Sequence, residues 1–571
     1  MTPDRMNLDW LRTQIVGIDS LIETPFGKRL LVYCDYTASG RCLLFVERYL
    51  TDLQRMYANT HSEDDITGRS MTQILRDAET SIKQSVNAGP DGRIIAVGTG
   101  ATGAVYRLQQ IIGVALPPAT SSTLFTLLSS FFGQDALRQF LEFQGREQPV
   151  VFVGPYEHHS NEISWRHGLA TVVDVRLSEG GAIDLDHLAH LLKEPSFRGR
   201  LKIGAFSAAS NVTGERSNVL AIAELLHRNG ALTCFDYAAS GPYVGIDMNP
   251  PAAPDGTSRA IDALYLSPHK FLGGPGSTGL LLFNKSIYRR DLGPTIAGGG
   301  TVDYVGLVDE DFAADIEIRE QAGTPGVLQT LKAALAIQVK EAFGSAKIER
   351  REQELLERAF ARWNRNESIE ILGSREPRRR VGIVSFNVRH PSGQYLHPKF
   401  ITALLNDLFG IQSRAGCSCA GPYGHRLLGI DPQTSEKYRE WVRRGYHGVK
   451  PGWCRVGFHY VMDDAEASYV IDAVDFIGRE GHRFLVLYEF HIRSGLWVQT
   501  NYHENHERFS LQAALQVNDA TDTARTAEKR ALMYAQYLDD ARRIAAGLPS
   551  NRSSSIHANS DEFGSLKFFV E

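Results

Sequence analysis

The chain has 571 residues, 61 Lys and Arg against 66 Asp and Glu, a formal charge of -5, 43% hydrophobic residues and six cysteines. That composition fits a globular protein with a full core. Its slight acidity removes the electrostatic case for nucleic acid or anionic membranes, which bind dense Lys/Arg patches, and six cysteines are too sparse for a disulfide framework. The N-terminus carries charges every few residues and no apolar leader, and no later run reaches 18 apolar residues. A cytoplasmic protein is therefore expected, with no nucleic acid and no membrane among its partners.

Leu8, Leu11, Ile15 and Ile18 recur at helical spacing until Pro25 and Gly27 interrupt them. This predicts an N-terminal arm over 1–30. Leu30-Leu31-Val32-Tyr33 reads as a strand and opens a large domain over 31–324. Within it, the apolar runs Ile94–Val97, Val150–Val153, Leu201–Phe206, Leu232–Phe235 and Ala263–Leu266 alternate with helical stretches. Unalternating apolar strands between helices predict an α/β fold whose mostly parallel sheet is covered on both faces. From Val327 to about Arg365 the pattern turns helical, weakened at Gly344-Ser345, and opens a smaller α+β domain over 325–481. Its strands are expected near Val381–Val388 and Arg455–Val461, and the basic run Arg375–Arg380 reads as a solvated loop. Residues 482–571 form an extension of unassigned role, with a strand at Phe484–Phe490, an amphipathic helix at Asp522–Ala546 and a mobile polar segment at Ser550–Ser560. No internal repeat is present.

The most informative stretch is Ser267-Pro-His269-Lys270-Phe-Leu-Gly273-Gly274, which follows a buried strand. A lysine there, beside a hydroxyl, an imidazole and glycines, suits an aldehyde cofactor bearing a phosphate; a surface lysine in a turn is the other reading. Asp236 ends a second apolar strand, where a carboxylate is costly without a cationic partner such as a protonated pyridine. Gly98-Thr-Gly100-Ala101-Thr102-Gly103 follows a strand and opens a helix, an anion-type N-terminus. His158 follows another buried strand, placed to stack on an aromatic cofactor. With His159 beside it, the pair also fits polar loop residues or a metal site.

In this order the set resembles the class V aminotransferase group of pyridoxal-phosphate enzymes, and within it the cysteine desulfurases and selenocysteine lyases. The resemblance runs from about Tyr33 to about Val474. Its further landmarks are Asp35-Tyr-Thr-Ala38-Ser39, Asn59-Thr-His61, Glu157-His-His-Ser-Asn161, Ser210-Asn211-Val-Thr-Gly214, Gly298-Gly-Gly300, Ala322-Gly-Thr-Pro325, Arg414-Ala-Gly-Cys-Ser-Cys419 and Cys454-Arg455. It implies fold-type I: a large domain with a mostly parallel seven-stranded sheet plus a small α+β domain, working as a homodimer with pyridoxal 5'-phosphate. Lys270 then carries the Schiff base and moves the α-proton, Asp236 holds the pyridinium nitrogen and His158 stacks on the ring. Ala101, Thr102, Ser267 and His269 bind phosphate. Asn211, Arg455 and Ala38 bind a small amino-acid substrate, Arg455 as a two-pronged donor to its carboxylate.

The Arg-x-Gly-x-x-Cys pattern of the desulfurases falls on Arg414–Cys419, so the resemblance makes Cys419 the nucleophile that leaves a persulfide for a sulfur-acceptor protein. Cys417 stands where relatives often have histidine. The Cys-x-Cys spacing alone also fits half a metal site or packing residues, and no metal is expected. Three departures weaken the substrate assignment: Ala239 where glutamine is usual, Gly103 where glutamate is usual, and insertions near 117–148 and 431–452. An aminotransferase, epimerase or C–S β-lyase is the alternative, and a non-catalytic binding protein a minor one.

Overall fold

The computed structural model describes residues 7–502, 525–549, 566 and 568–570. The Ser550–Ser560 segment and the start of the helix predicted from Asp522 lie outside the described residues. The chain divides into two compact units. One is Thr37–Glu349 with Arg379–Val381; the other is Met1–Tyr36, Arg350–Arg378 and Gly382–Glu571. The division therefore runs at residues 36/37 and 349/350, whereas the sequence reading puts it at 30/31 and 324/325: the helix Val327–Phe343 joins the larger unit, and the strand Val32–Tyr33 the smaller.

The larger unit is built on seven strands: β1 (Gly92–Ala96), β2 (Val150–Val153), β3 (Thr171–Asp174), β4 (Lys202–Ser207), β5 (Ala231–Asp236), β6 (Ala263–Leu266) and β7 (Leu280–Asn284). They lie in the order β1-β7-β6-β5-β4-β2-β3. Pairing is parallel except at β7, which runs antiparallel to both β1 and β6. This is the mostly parallel α/β sheet the apolar runs predict, with the seven strands that the family resemblance implies. Side chains of β2, β4, β5 and β6 are buried on both faces, with Phe152, Phe206, Phe235 and Tyr265 fully enclosed. Burying each such ring contributes roughly 2–3 kcal/mol before entropy is counted. Because β7 reverses between β1 and β6, those two strands are parallel to each other. The C-terminal ends of β1, β2, β4, β5 and β6 thus share one edge, where open α/β sheets bind ligands.

The insertion near 117–148 forms two consecutive helices, α2 (Pro118–Phe132) and α3 (Gln134–Glu147), after α1 (Gly100–Ile111). Neither α2 nor α3 buries a residue. The predicted long helix from Val327 is two, α4 (Val327–Phe343) and α5 (Ser345–Trp363), parted at Gly344, whose φ of 92° only glycine adopts easily.

The smaller unit carries a four-stranded antiparallel sheet of β8 (Ile369–Ile371), β9 (Ile383–Val388), β10 (Arg414–Gly416) and β11 (Trp453–Gly457), in the order β8-β9-β11-β10. Its N-terminal segment is a short helix, Leu8–Thr13, then a hairpin of Leu21–Thr24 with Gly27–Leu30. The arm thus holds a hairpin after its helix, because Pro25 and Gly27 turn a strand pair and do not merely stop a helix. Helices α6 (Pro398–Phe409), α7 (Asp464–Glu480) and α8 (Ala527–Gly547) close the unit's apolar core, to which Tyr534, Tyr537, Ala541 and Ala545 of the extension all belong. The predicted strand Phe484–Phe490 is corrected to a 3₁₀ segment over Gly481–Leu487 and a strand over Tyr488–His491. Buried Phe484 and Leu485 are adjacent, which the one-sided alternation of a strand would separate.

The basic run is also corrected. Arg379 ion-pairs with Glu215 at 2.5 Å within the larger unit, and Arg380 is 2% exposed. Only the first part of Arg375–Arg380 behaves as a solvated loop.

Candidate active site

Most predicted site residues of the larger unit follow those shared strand ends. Asp236, the last residue of β5, is buried; its Oδ1 accepts from the Ala238 N–H at 2.7 Å. Burial raises its pKa, against the opposing pull of that hydrogen bond and of the Lys270 charge. Lys270 ends the 3₁₀ turn Pro268–Lys270 after β6. His269 beside it is pushed down to about 4, by burial first and by Lys270 second, so its imidazole is neutral at physiological pH. Such a ring can offer an anion a hydrogen bond but no charge.

The glycine run after β1 meets this turn. The Ala101 N–H donates to Ser267 Oγ at 2.8 Å, which leaves the Ser267 hydroxyl proton to point elsewhere. A Cβ on Gly100, at φ 61°, would stand 2.9 Å from that oxygen. The Gly103 departure has a physical cause of the same kind: a Cβ there would stand 2.6 Å from the Val97 carbonyl oxygen, so no side chain fits without moving backbone. Thr102 Oγ1 lies 2.6 Å from Ser160 Oγ, and the Ser160 N–H donates to His158 Nδ1 at 3.2 Å. That bond puts the proton of the neutral ring on Nε2. Ser160, which sequence reasoning missed, therefore orients both a phosphate candidate and the stacking candidate.

Beneath them Glu157 accepts from Ser207 N at 2.8 Å, Ser207 Oγ at 2.6 Å and Asn161 Nδ2 at 2.7 Å. Burial pushes its carboxyl up to about 8 despite those donors. The Ala38 segment is fastened to the lysine turn: Ser39 Oγ and the Gly40 N–H both donate to the His269 carbonyl, at 3.2 and 2.8 Å. Asn211 is buried in the turn after β4, where Ser210 Oγ accepts from the Val212 and Thr213 N–H groups. Three further landmarks converge: Asn59 Nδ2 donates to Thr324 Oγ1 at 3.1 Å, and His61 Nε2 lies 3.3 Å from the Gly323 carbonyl. Of these landmarks His61, Gly300 and Pro325 border a cavity of about 410 Å³ whose wall includes Glu79, a carboxyl pushed up to about 7 by burial.

These donors suit pyridoxal phosphate. A helix N-terminus with hydroxyls faces anions, a buried carboxylate at a strand end suits a pyridinium, and an amine lies near enough for its charge to lower that carboxylate's pKa.

The remaining candidates lie in the smaller unit. Arg455 on β11 is 2% exposed, and its Nη2 donates to Asp35 Oδ1 at 2.8 Å. Directly across the strand pair stands Arg414 of β10. Like charges in such cross-strand positions repel, so the pair favours anions beyond Asp35. Asp35 as a partner was missed; only the fold brings it 420 positions along the chain to Arg455. After β10 the chain turns: the Ala420 N–H donates to the Cys417 carbonyl at 3.0 Å, with Ser418 at φ 51° and Cys419 at φ 58°. Two successive left-handed residues are the pattern of a type I′ turn, normally Asn and Gly. Cys417 is exposed and Cys419 half-buried. The other four thiols, Cys34, Cys42, Cys234 and Cys454, are all pushed up by burial, Cys454 to about 11. Burial of that kind suits packing, not nucleophilic attack.

The sequence profile of the aminotransferase class-V family matches residues 136–470. A protein of Halalkalibacterium halodurans named probable cysteine desulfurase is 28% identical over 397 residues, 69% of this chain and 84% of its own length. One of Staphylococcus aureus with the same name is 28% identical over 401 residues, with the same shares covered. Among solved structures, the apo cysteine desulfurase of Thermococcus onnurineus superposes with a TM-score of 0.62 at 20% identity, covering 82% of this chain and 98% of that one. The cysteine desulfurase CsdA of Escherichia coli gives 0.58 at 20% identity, with the same coverage. At that identity the two structures speak for the fold alone.

Proposed function

The chain belongs to the aminotransferase class-V family, a family of pyridoxal-phosphate enzymes, and from that premise we propose that it is a cysteine desulfurase-like enzyme. It takes sulfur from L-cysteine or a related amino acid onto Cys419 as a persulfide and releases alanine. The observation that carries this reading is the thiol turn: a cysteine held left-handed, at a cost of roughly 1–2 kcal/mol, where the turn itself prefers glycine or asparagine. The naming of the curated relatives supports the same reading.

Pyridoxal phosphate, when bound, supplies an electron sink for charge developing at the substrate α-carbon. Asp236 would hold its ring nitrogen, His158 one ring face, Lys270 its aldehyde, and Ala101, Thr102, Ser267 and His269 its phosphate. Asn211 and Arg455 take the substrate carboxylate, with Ala38 beside the lysine turn. Lys270 Nζ removes the α-proton. The Cys419 thiolate attacks the substrate sulfur; the S–S bond forms as the C–S bond breaks, the electron pair of that bond stays with carbon, and a proton there completes alanine.

The reading extends to a cytoplasmic homodimer that hands its sulfur to an acceptor protein; no helix among the described residues is long and apolar enough to cross a membrane. Replacing Cys419 with serine should abolish alanine and persulfide formation from L-cysteine while the absorbance of the bound cofactor persists. Turnover surviving in that variant would instead favour a C–S β-lyase, epimerase or aminotransferase.

A further inference from the structure

Two thiols share the turn after β10, and they are not equivalent. Cys417, its first residue, is exposed; Cys419, its third, is half-buried, with buried Ser418 between them and buried Ala420 after them. The hydrogen bond from the Ala420 N–H to the Cys417 carbonyl closes the turn and holds both cysteines within four residues. The two left-handed residues fix the path between them. A single catalytic cysteine needs no second thiol here. A sulfur that must leave a half-buried position for a large acceptor is served by an exposed carrier beside it.

Resting on the desulfurase reading above, we propose that Cys417 is a second sulfur carrier, and that the turn works as a two-thiol relay from Cys419 to solvent. The Cys417 thiolate attacks the outer sulfur of the Cys419 persulfide. A new S–S bond forms on Cys417 while the old one breaks, and its electron pair leaves on the Cys419 sulfur as thiolate, which takes up the proton that Cys417 lost. One persulfide and one thiol become one thiol and one persulfide. No oxidant or reductant is consumed, and Cys419 is ready for the next substrate while the exposed sulfur awaits an acceptor thiol. Attack on the inner sulfur would instead release hydrosulfide and leave a Cys417–Cys419 disulfide, which requires an external dithiol to reopen. The direct relay needs none.

The test uses the full-length cofactor-loaded enzyme, L-cysteine, and two acceptors, dithiothreitol and a thiol-terminated polymer too bulky to reach a half-buried sulfur. In a single turnover without acceptor, wild-type enzyme forms alanine once per chain, and mass spectrometry of alkylated peptides finds the added sulfur on Cys417. Cys417→Ser still forms alanine once per chain, with the sulfur now on Cys419; its transfer to the polymer falls about tenfold while transfer to dithiothreitol changes little, since access governs exchange rate. Because the substituted side chain is exposed, retained alanine formation also reports an intact fold. Polymer transfer by Cys417→Ser at the wild-type rate overturns the relay and leaves the desulfurase reading standing. So does a Cys417–Cys419 disulfide formed with one hydrosulfide released. Wild-type enzyme that forms no alanine sinks the desulfurase reading, and the relay with it.

Discussion

A carboxylate at the end of a buried strand is costly unless a cation meets it, and Asp236 has among the described residues one hydrogen bond and the charge of Lys270 to offset its burial. That imbalance made it legible in the sequence: an acid closing the apolar run Leu232–Phe235 stands out. The same logic could have found Glu157, which follows the apolar run of β2 and is buried with its three donors. Ser160 and Asp35 gave no such signal, since serines and acids in loops are ordinary, and only the fold shows what they hold. The histidines offer a test at this scale. His459 is buried between Tyr36 and Tyr460, ring centroids 4.0 and 4.2 Å away, and burial pushes it down to about 3. A histidine depressed in the folded state is protonated first in the unfolded chain. Its contribution is therefore fully present above about pH 6.5 and is lost as pH falls towards 3. At pH 5 that loss is about 2 kcal/mol for this one ring. Urea melts of wild type and His459→Phe at pH 7 and pH 5 should differ accordingly: the variant keeps the stacking partner shape but loses less stability on acidification.

At the scale of elements, the apolar runs of β1, β2, β4, β5 and β6 were readable because strands buried on both faces carry no polar alternation. Edge strand β3 and reversed β7 were not singled out, since neither a half-buried run such as Thr171–Asp174 nor strand direction can be read from a local pattern. The C-terminal helix α8 was foreseen as a charged amphipathic helix, but its role was not, because every partner is distant in sequence. Tyr534 stacks on Tyr469 of α7, ring centroids 4.2 Å apart at 14°. Arg530 reaches Asp463 and Asp19, and Arg12 of the first helix ion-pairs with Asp463 and Glu466. The extension is thus a structural wall of the smaller unit's core. Tyr534→Ala should cost about 3 kcal/mol, as truncation of a buried aromatic does, and chemical denaturation will read it. A change below about 1 kcal/mol would mean the helix is only loosely attached.

Taken as a whole, the larger unit displays one surface that its fold does not use. From Leu108 to Gln134 no residue is charged, and within that stretch α2 leaves Leu127 and Phe131 63% and 83% exposed. Leu127→Ser and Phe131→Ser should each leave the unfolding midpoint within about 0.5 kcal/mol of wild type, because no core contact is lost. A larger loss would place those side chains in contacts that their exposure does not account for. The mostly parallel sheet was foreseeable from pattern, and its count of seven strands only from the resemblance that the motifs carry. The crossing of the N-terminal segment and the extension into one core was not, since nothing local in Leu30–Tyr33 says which core it will join.

That crossing also sets a timetable. The smaller unit owns the first 36 residues, yet its closing pieces include α8 and the parallel pairing of Phe569–Val570 with Tyr395–Leu396. On the ribosome the larger unit's sheet is complete long before these arrive. The N-terminal hairpin with buried Leu30, and the strand after it with buried Val32, have by then waited for roughly tens of seconds at ordinary rates of synthesis. For that interval the growing chain carries one finished sheet and one unsheltered apolar ribbon. The nascent protein is therefore most vulnerable to misassociation at its beginning, through residues made first and buried last.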